Sequence, residues 1–140
     1  MDDVKYAEDF ARMAHKGQKD KGGHDYINHP IAVAKMVNTD VDKIVALLHD
    51  VLEDTDVKEV AIRWHFGNEV ADAVLALTRR ENEDYFDFIQ RAKNNPIAKR
   101  VKIADITHNM DFSRLNEITN EDRARLKKYY KALDILQGKE

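Results

Sequence analysis

The sequence is 140 residues long, with 43% apolar and 35% charged residues, no cysteine and a formal net charge of −3. That composition can build one packed domain and argues against a disordered chain, a disulfide framework and a thiolate metal site. The weak negative charge argues against a broad nucleic-acid surface, and no apolar run reaches the length of a membrane span. The start, Met1-Asp2-Asp3, lacks a signal-peptide pattern. A cytoplasmic protein is therefore expected, with no nucleic-acid or membrane partner and the oligomeric state left open; the charge still allows a small anionic substrate if local Lys and Arg face it. Only two prolines and five glycines interrupt the chain, and alternation with period two is absent. The pattern is helical almost throughout.

Tyr6, Phe10 and Met13, with Ala7, Ala11 and Ala14, predict a first helix over residues 3–16, closed by Gly17. A polar loop over 17–28 follows, and His29-Pro30 opens a second helix that runs through Val37. Thr39 or Asp40 caps the central helix. Asp56 with Glu59 resembles a capping box for a fourth helix over 57–66, with Trp64 and Phe66 as core residues. Gly67-Asn68 restarts the chain, and Val70, Val74, Leu75 and Leu77 drive a fifth helix. Arg79 to Asp84 is a charged connection, and Tyr85, Phe86 and Ile89 mark a sixth helix. Asn95-Pro96 starts a seventh over 96–112. Thr119 or Asn120 starts the last over 120–137, with Leu126, Tyr129, Tyr130, Leu133 and Leu136 inward. The expectation is a compact all-α domain covering 1–140, with about eight helices.

The informative stretch is Ile44-Val45-Ala46-Leu47-Leu48-His49-Asp50-Val51-Leu52-Glu53-Asp54-Thr55. Ile44, Leu47, Leu48, Val51 and Leu52 share one helical face, and Asp50, Glu53 and Asp54 follow at i, i+3 and i+4. Carboxylates on a helix that must be mostly buried are costly unless paired or bound to a metal. The seventh helix repeats the problem. Asp105 lies between Ala104 and Ile106, with His108 and Asn109 three and four residues on. Asp105 is a candidate to meet His49 and Asp50 in space, and His29, held at a helix start by Pro30, is a further contributor. Two imidazoles with two or more carboxylates suit Mn²⁺, Fe²⁺ or Zn²⁺ better than Ca²⁺. Such a site is hydrolytic, and Glu53 and Asp54 are placed to orient or deprotonate a water. Lys102, one turn before Asp105, is a candidate cation for a polyphosphate substrate. His15, His24 and His65 are read as surface or core histidines.

Three blocks then stand out together: Tyr26-Ile27-Asn28-His29-Pro30, Leu47-Leu48-His49-Asp50-Val51-Leu52-Glu53-Asp54-Thr55, and Val101-Lys102-Ile103-Ala104-Asp105 with His108-Asn109-Met110. In order and spacing they resemble the HD-domain phosphohydrolases, and more closely the hydrolase domain of the RelA/SpoT family and its small stand-alone alarmone hydrolases. The resemblance spans about residues 5–137. It implies Mn²⁺ held by His29, His49, Asp50 and Asp105, with Glu53 and Asp54 activating water. It implies removal of the 3′-pyrophosphate from guanosine tetra- or pentaphosphate, leaving GDP or GTP, with Asn109 near the ribose and phosphate. Arg125 and Tyr129 resemble a substrate-contacting pair.

The chain also departs from that family. The loop Gln18-Lys19-Asp20-Lys21-Gly22-Gly23-His24-Asp25 has no arginine where the family stacks one on guanine, so Lys19 or Lys21 would supply charge without the stack. Asp111-Phe112-Ser113-Arg114 stands where the family often has Arg-Thr or Arg-Asp-Leu. The chain ends after the hydrolase part, so no synthetase domain is expected. A hydrolase of another nucleotide or pyrophosphate ester, and a non-catalytic nucleotide-binding regulatory module, are the alternative readings.

Overall fold

The computed structural model describes residues 2–112 and 117–139; Ser113 and Arg114, quoted above, lie outside them. Nine helices follow in order among the described residues: α1 Asp3–Ala14, α2 Asn28–Lys35, α3 Asp40–Leu48, α4 Val51–Asp54, α5 Glu59–Phe66, α6 Asn68–Ala76, α7 Tyr85–Lys93, α8 Pro96–Asn109 and α9 Asn120–Gln137. Lys19 and Asp25 form an isolated antiparallel bridge in the loop before α2. The architecture is all-α, as the periodicity predicts. None of the described helices is long and apolar enough to cross a membrane.

The expected starts hold where a side chain can satisfy open backbone donors. Thr39 accepts from Asp42 N, and Asn95 accepts from Ala98 N just before Pro96. Thr119 and Asp122 form a reciprocal capping box at α9. The box expected at Asp56 and Glu59 does not form. Lys58 occupies the N-cap of α5 without a side-chain cap, and Glu59 is the first helical residue. Gly67, at φ +89°, turns the chain between α5 and α6.

The central helix differs most from expectation, because it is two helices. It breaks at His49-Asp50, where His49 Nδ1 lies 2.5 Å from the Ala46 carbonyl oxygen. In an unbroken helix that oxygen would accept from Asp50 N–H. Ahead of the break, Ile44 through Leu48 are all buried. Five consecutive apolar residues cover every side of a helix, so α3 must be surrounded. It packs on α1, α2, α6 and α8. Leu47 and Leu48 each contribute about 1.5–3 kcal/mol by leaving water.

Two polar ties fix α3 against its neighbours. Asp42, buried, receives Arg100 of α8 through two bonds of 2.7 and 2.9 Å. Lys43 Nζ donates to the Ala34 and Val37 carbonyls at 3.1 and 2.8 Å, closing the end of α2. A second, smaller core joins Phe88 and Ile89 of α7 to Ala132, Ile135 and Leu136 of α9. Helix α8 belongs to both: Ala98, Val101 and Ala104 face the first core, and Ile106 faces the second. Asp105 lies at that crossing.

Two core expectations fail on angular grounds. Trp64 is 82% exposed, because Ile62 is the inward residue of α5 and a residue two places on lies on the opposite side. Phe66 is half-buried against Phe10 in an edge-to-face contact at 5.3 Å. On α9, Tyr130 is exposed, one step off the stripe of Tyr129, Ala132, Leu133 and Leu136.

Candidate active site

The α3–α4 break places His49 and Asp50 at the inner end of α3. His49 Nδ1–H donates to the Ala46 carbonyl, which leaves the lone pair on Nε2. That Nε2 is buried and makes no hydrogen bond. It nevertheless lies 3.1 Å from Asp50 Oδ2 and 3.3 Å from Asp105 Oδ1. A buried nitrogen lone pair facing two carboxylate oxygens, all acceptors, requires something positive among them.

Helix α2 brings a second imidazole. His29 is buried in its first turn, with Nε2 2.7 Å from Asp105 Oδ1 and Nδ1 2.7 Å from His108 Nδ1. His108 thus orients His29 from behind, and the two rings stand 4.8 Å apart. Asp105, on α8, is held from its other side by Lys102 Nζ at 2.9 Å and by Asn109 Nδ2 at 3.3 Å. Ligand atoms of His29, His49 and Asp105 all lie within 4.8 Å of one another, and so do those of Asp50, Glu53 and Asp54. The two groups meet at the His49–Asp50 contact. The geometry can hold a divalent cation.

The charges point the same way. Burial alone would lower the His49 pKa, but the Asp50 and Asp105 carboxylates together pull it well above the ordinary histidine range. Burial opposes ionisation of Asp50 and Asp105 as well. His49 for Asp50, and Lys102 followed by His49 for Asp105, overcome it and keep both carboxylates charged. Asp54 behaves oppositely. Desolvation, then the negative charges of Asp50 and Glu53, push it up to about 6. Glu53 accepts from the backbone N–H of Arg79 at 2.8 Å, which ties α4 to the loop after α6.

Two residues with evident positioning roles escaped the sequence reading. Tyr26 donates to Asp50 Oδ2, and burial keeps its hydroxyl protonated. His15, buried, stacks parallel on the Tyr26 ring at 5.0 Å, with Nδ1 2.8 Å from Gln18 Oε1. Tyr26 stands inside the Tyr26–Pro30 block, which was a signal. His15 carried none beyond being a histidine on an apolar helix face.

Two of the cavities beside the centre gather cationic residues. One, of about 220 Å³, is lined by Lys21, Asn109, Arg125 and Tyr129, all expected at substrate, together with Asp20 and His24. Arg125 donates to Asp122 and lies 5.8 Å from the Phe112 ring. The other cavity, of about 160 Å³, is lined by Asp50, Glu53, Arg79, Tyr85, Lys102 and Lys128. Asn109 and Tyr129 border both. The structure therefore gathers His29, His49, Asp50 and Asp105 at one point, sets Glu53 and Asp54 beside it, and distributes Lys21, Lys102, Asn109, Arg125 and Tyr129 around the adjoining space.

Comparison with known proteins gives the family. The HD domain family model matches residues 7–103. The Homo sapiens guanosine-3′,5′-bis(diphosphate) 3′-pyrophosphohydrolase MESH1 is 34% identical over 148 residues, covering 94% of this chain and 82% of that protein. A guanosine-3′,5′-bis(diphosphate) 3′-pyrophosphohydrolase of Haemophilus influenzae is 35% identical over 134 residues, 85% of this chain but 20% of the longer relative. Among solved structures, one described as a metazoan ortholog of SpoT that hydrolyzes ppGpp superposes with a TM-score of 0.82 at 26% identity. It covers 99% of this chain and 88% of that one. With its blocks in order and its imidazoles and carboxylates converging at one buried point, the chain belongs to the HD domain family, beside the guanosine-3′,5′-bis(diphosphate) 3′-pyrophosphohydrolases.

Proposed function

We propose that the protein is a Mn²⁺-dependent hydrolase that removes the 3′-pyrophosphate of guanosine tetra- or pentaphosphate, giving GDP or GTP and pyrophosphate. The observation that carries this reading is the buried, unbonded Nε2 of His49 facing Asp50 and Asp105 from a third segment, with His29 closing the set. His29, His49, Asp50 and Asp105 would hold the ion, and their mixed nitrogen and oxygen donors suit manganese. When bound, the ion supplies Lewis acidity toward water and a phosphoryl oxygen.

The chain's own groups do the rest. Tyr26 fixes Asp50, Lys102 and Asn109 fix Asp105, and His108 fixes His29, so the donor atoms are preorganised. Asp54, with Glu53 beside it, accepts a proton from the attacking water. The water oxygen bonds to the phosphorus joined to O3′, the P–O3′ bond breaks, and the 3′ oxygen leaves as a hydroxyl by taking up the equivalent of the proton that Asp54 removed from water, which restores the carboxylate. Lys102 balances charge on the transferred pyrophosphoryl group. Lys21, Arg125 and Tyr129 face the nucleoside side, within the first cavity.

Incubating the protein with guanosine tetraphosphate and Mn²⁺, with products identified, tests the reading. GDP and pyrophosphate are expected from the parent and neither from Asp50→Ala, which also loses metal binding. Full turnover by Asp50→Ala ends the scheme. One observation favours a second substrate: the 17–28 loop lines the first cavity with Asp20, Lys21 and His24 and offers no arginine to stack on a base. A panel of nucleotides with 3′-diphosphates on different bases decides whether guanine is preferred.

A further inference from the structure

The second cavity holds more positive charge than the reaction scheme has used. Lys128 of α9 places its ammonium 4.2 Å from the centre of the Tyr85 ring, and the Arg79 guanidinium lies 5.8 Å from the same ring. Lys102 lines the cavity beside them. Arg79 and Lys102 have partners: Arg79 Nε donates to the Glu83 carbonyl at 2.9 Å, and Lys102 donates to Asp105. Lys128 has no carboxylate partner among the described residues. Burial first, then Arg79, Arg125 and Lys102, all push its pKa down. Three cations among the described residues line this cavity, with Arg125 near enough to act on Lys128, at an electrostatic cost that a bound anion would relieve.

A second, independent sign comes from Tyr85. Its hydroxyl is buried and has no hydrogen-bond partner. Burial raises its pKa, so it remains a neutral phenol with a proton to donate. A buried donor of this kind is explained by an acceptor that arrives with a ligand. Both groups line a cavity that Asp50 and Glu53 also line. The loop that carries Arg79 is held firmly. Arg91 donates to the Leu75 and Thr78 carbonyls at 3.0 and 2.7 Å, and to both carboxylate oxygens of Glu83.

We propose that this cavity seats the distal phosphate of the pyrophosphoryl group, with Lys128 and Tyr85 as its contacts, and that these residues select a diphosphate ester over a monophosphate ester. The inference rests on the hydrolase reading above for its substrate, but not for its ligand chemistry, which is that of pyrophosphate itself. The phosphate nearer the sugar lies at the His49–Asp50 centre. The distal one reaches Lys128 by a charge-assisted contact and Tyr85 by a neutral hydrogen bond.

The test is calorimetric titration of inorganic pyrophosphate and inorganic phosphate into the metal-free full chain at low salt. Far-UV circular dichroism checks that each variant is folded. Pyrophosphate should bind at least about tenfold tighter than phosphate. Lys128→Met keeps the aliphatic stem and should abolish that preference, whereas Lys128→Arg should retain most of it. Tyr85→Phe keeps the ring and should weaken pyrophosphate about three- to tenfold. Failure of the parent to prefer pyrophosphate, or unchanged binding in both Lys128→Met and Tyr85→Phe, overturns the proposal. Turnover separates it from the hydrolase reading. Lys128-dependent pyrophosphate binding without guanosine tetraphosphate hydrolysis leaves the subsite standing and removes the reading. Hydrolysis in which Lys128→Met still prefers a 3′-diphosphate to a 3′-monophosphate does the reverse.

Discussion

At the scale of single residues, the site works by giving each donor one job and a neighbour that enforces it. His49 is turned by the Ala46 carbonyl, His29 by His108, and Asp50 by Tyr26. Asp54 is the exception, because its surroundings destabilise its charge instead of supporting it. That suits a base, whose affinity for a proton must be appreciable near the working pH. The expected consequence is an acid limb in kcat/KM. Asp54 sits at about 6, so below that pH it is protonated and cannot accept from water, and activity falls. A divalent ion beside Asp50 favours the charged carboxylate, so the limb lies at or below pH 6. The pH profile should be recorded together with metal occupancy at each point. Undiminished turnover at pH 4.5 with metal retained removes Asp54 from the role of base.

At the scale of elements, α8 carries Asp105, the α6–α7 loop borders the second cavity, and each is held by an arginine. Arg100 fixes α8 on α3 through Asp42, five residues before Asp105. Arg91 fixes the loop through Glu83, whose carboxyl is lowered to about 2 chiefly by that guanidinium. A carboxylate with a depressed folded-state pKa stabilises the fold above its unfolded value and loses that contribution as pH falls through the folded one. Glu83→Gln should therefore be less stable than the parent by about 2 kcal/mol at neutral pH. The gap should close between pH 4.5 and about 2 in urea titrations. A constant gap across that range would assign the loss to packing.

The same scale shows what a sequence reveals. Thr39, Asn95 and Thr119 announced their helices because a cap is a local arrangement, complete within four residues. His29, His49, Asp50 and Asp105 were legible because carboxylates and imidazoles among apolar neighbours conflict with burial unless something resolves it. The division of α3 from α4 was not legible. A periodicity reading assumes continuous rotation, and a side chain that takes a backbone acceptor leaves no trace in the hydrophobic pattern. Trp64 was misread because α5 is short and offers more than one plausible inward stripe. Tyr26 and His15 act through a stack between segments, which only the folded chain creates.

For the whole molecule, a cation held between His29, His49 and Asp105 is also expected to act as a structural element. It would join α2, the α3–α4 turn and α8. A ligand that binds only the folded state adds about 2.7 kcal/mol at one hundred times its dissociation constant. Mn²⁺ should thus raise the melting temperature by roughly 5–10 °C, and a chelator should reverse the rise. Asp105→Asn should show neither effect. An equal rise in that variant would place the ion elsewhere.

The histidine that interrupts the central helix has a practical consequence for anyone building an inert version of this protein. Its ring is at once a donor and a wedge, since Nδ1 occupies the oxygen that would otherwise continue the helix. Replacing it with leucine frees that oxygen for the next amide, invites the two short helices to fuse, and re-aims Asp50 and everything after it. A dead enzyme made at position 49 would be a reshaped enzyme too, so a shape-preserving control belongs at Asp105.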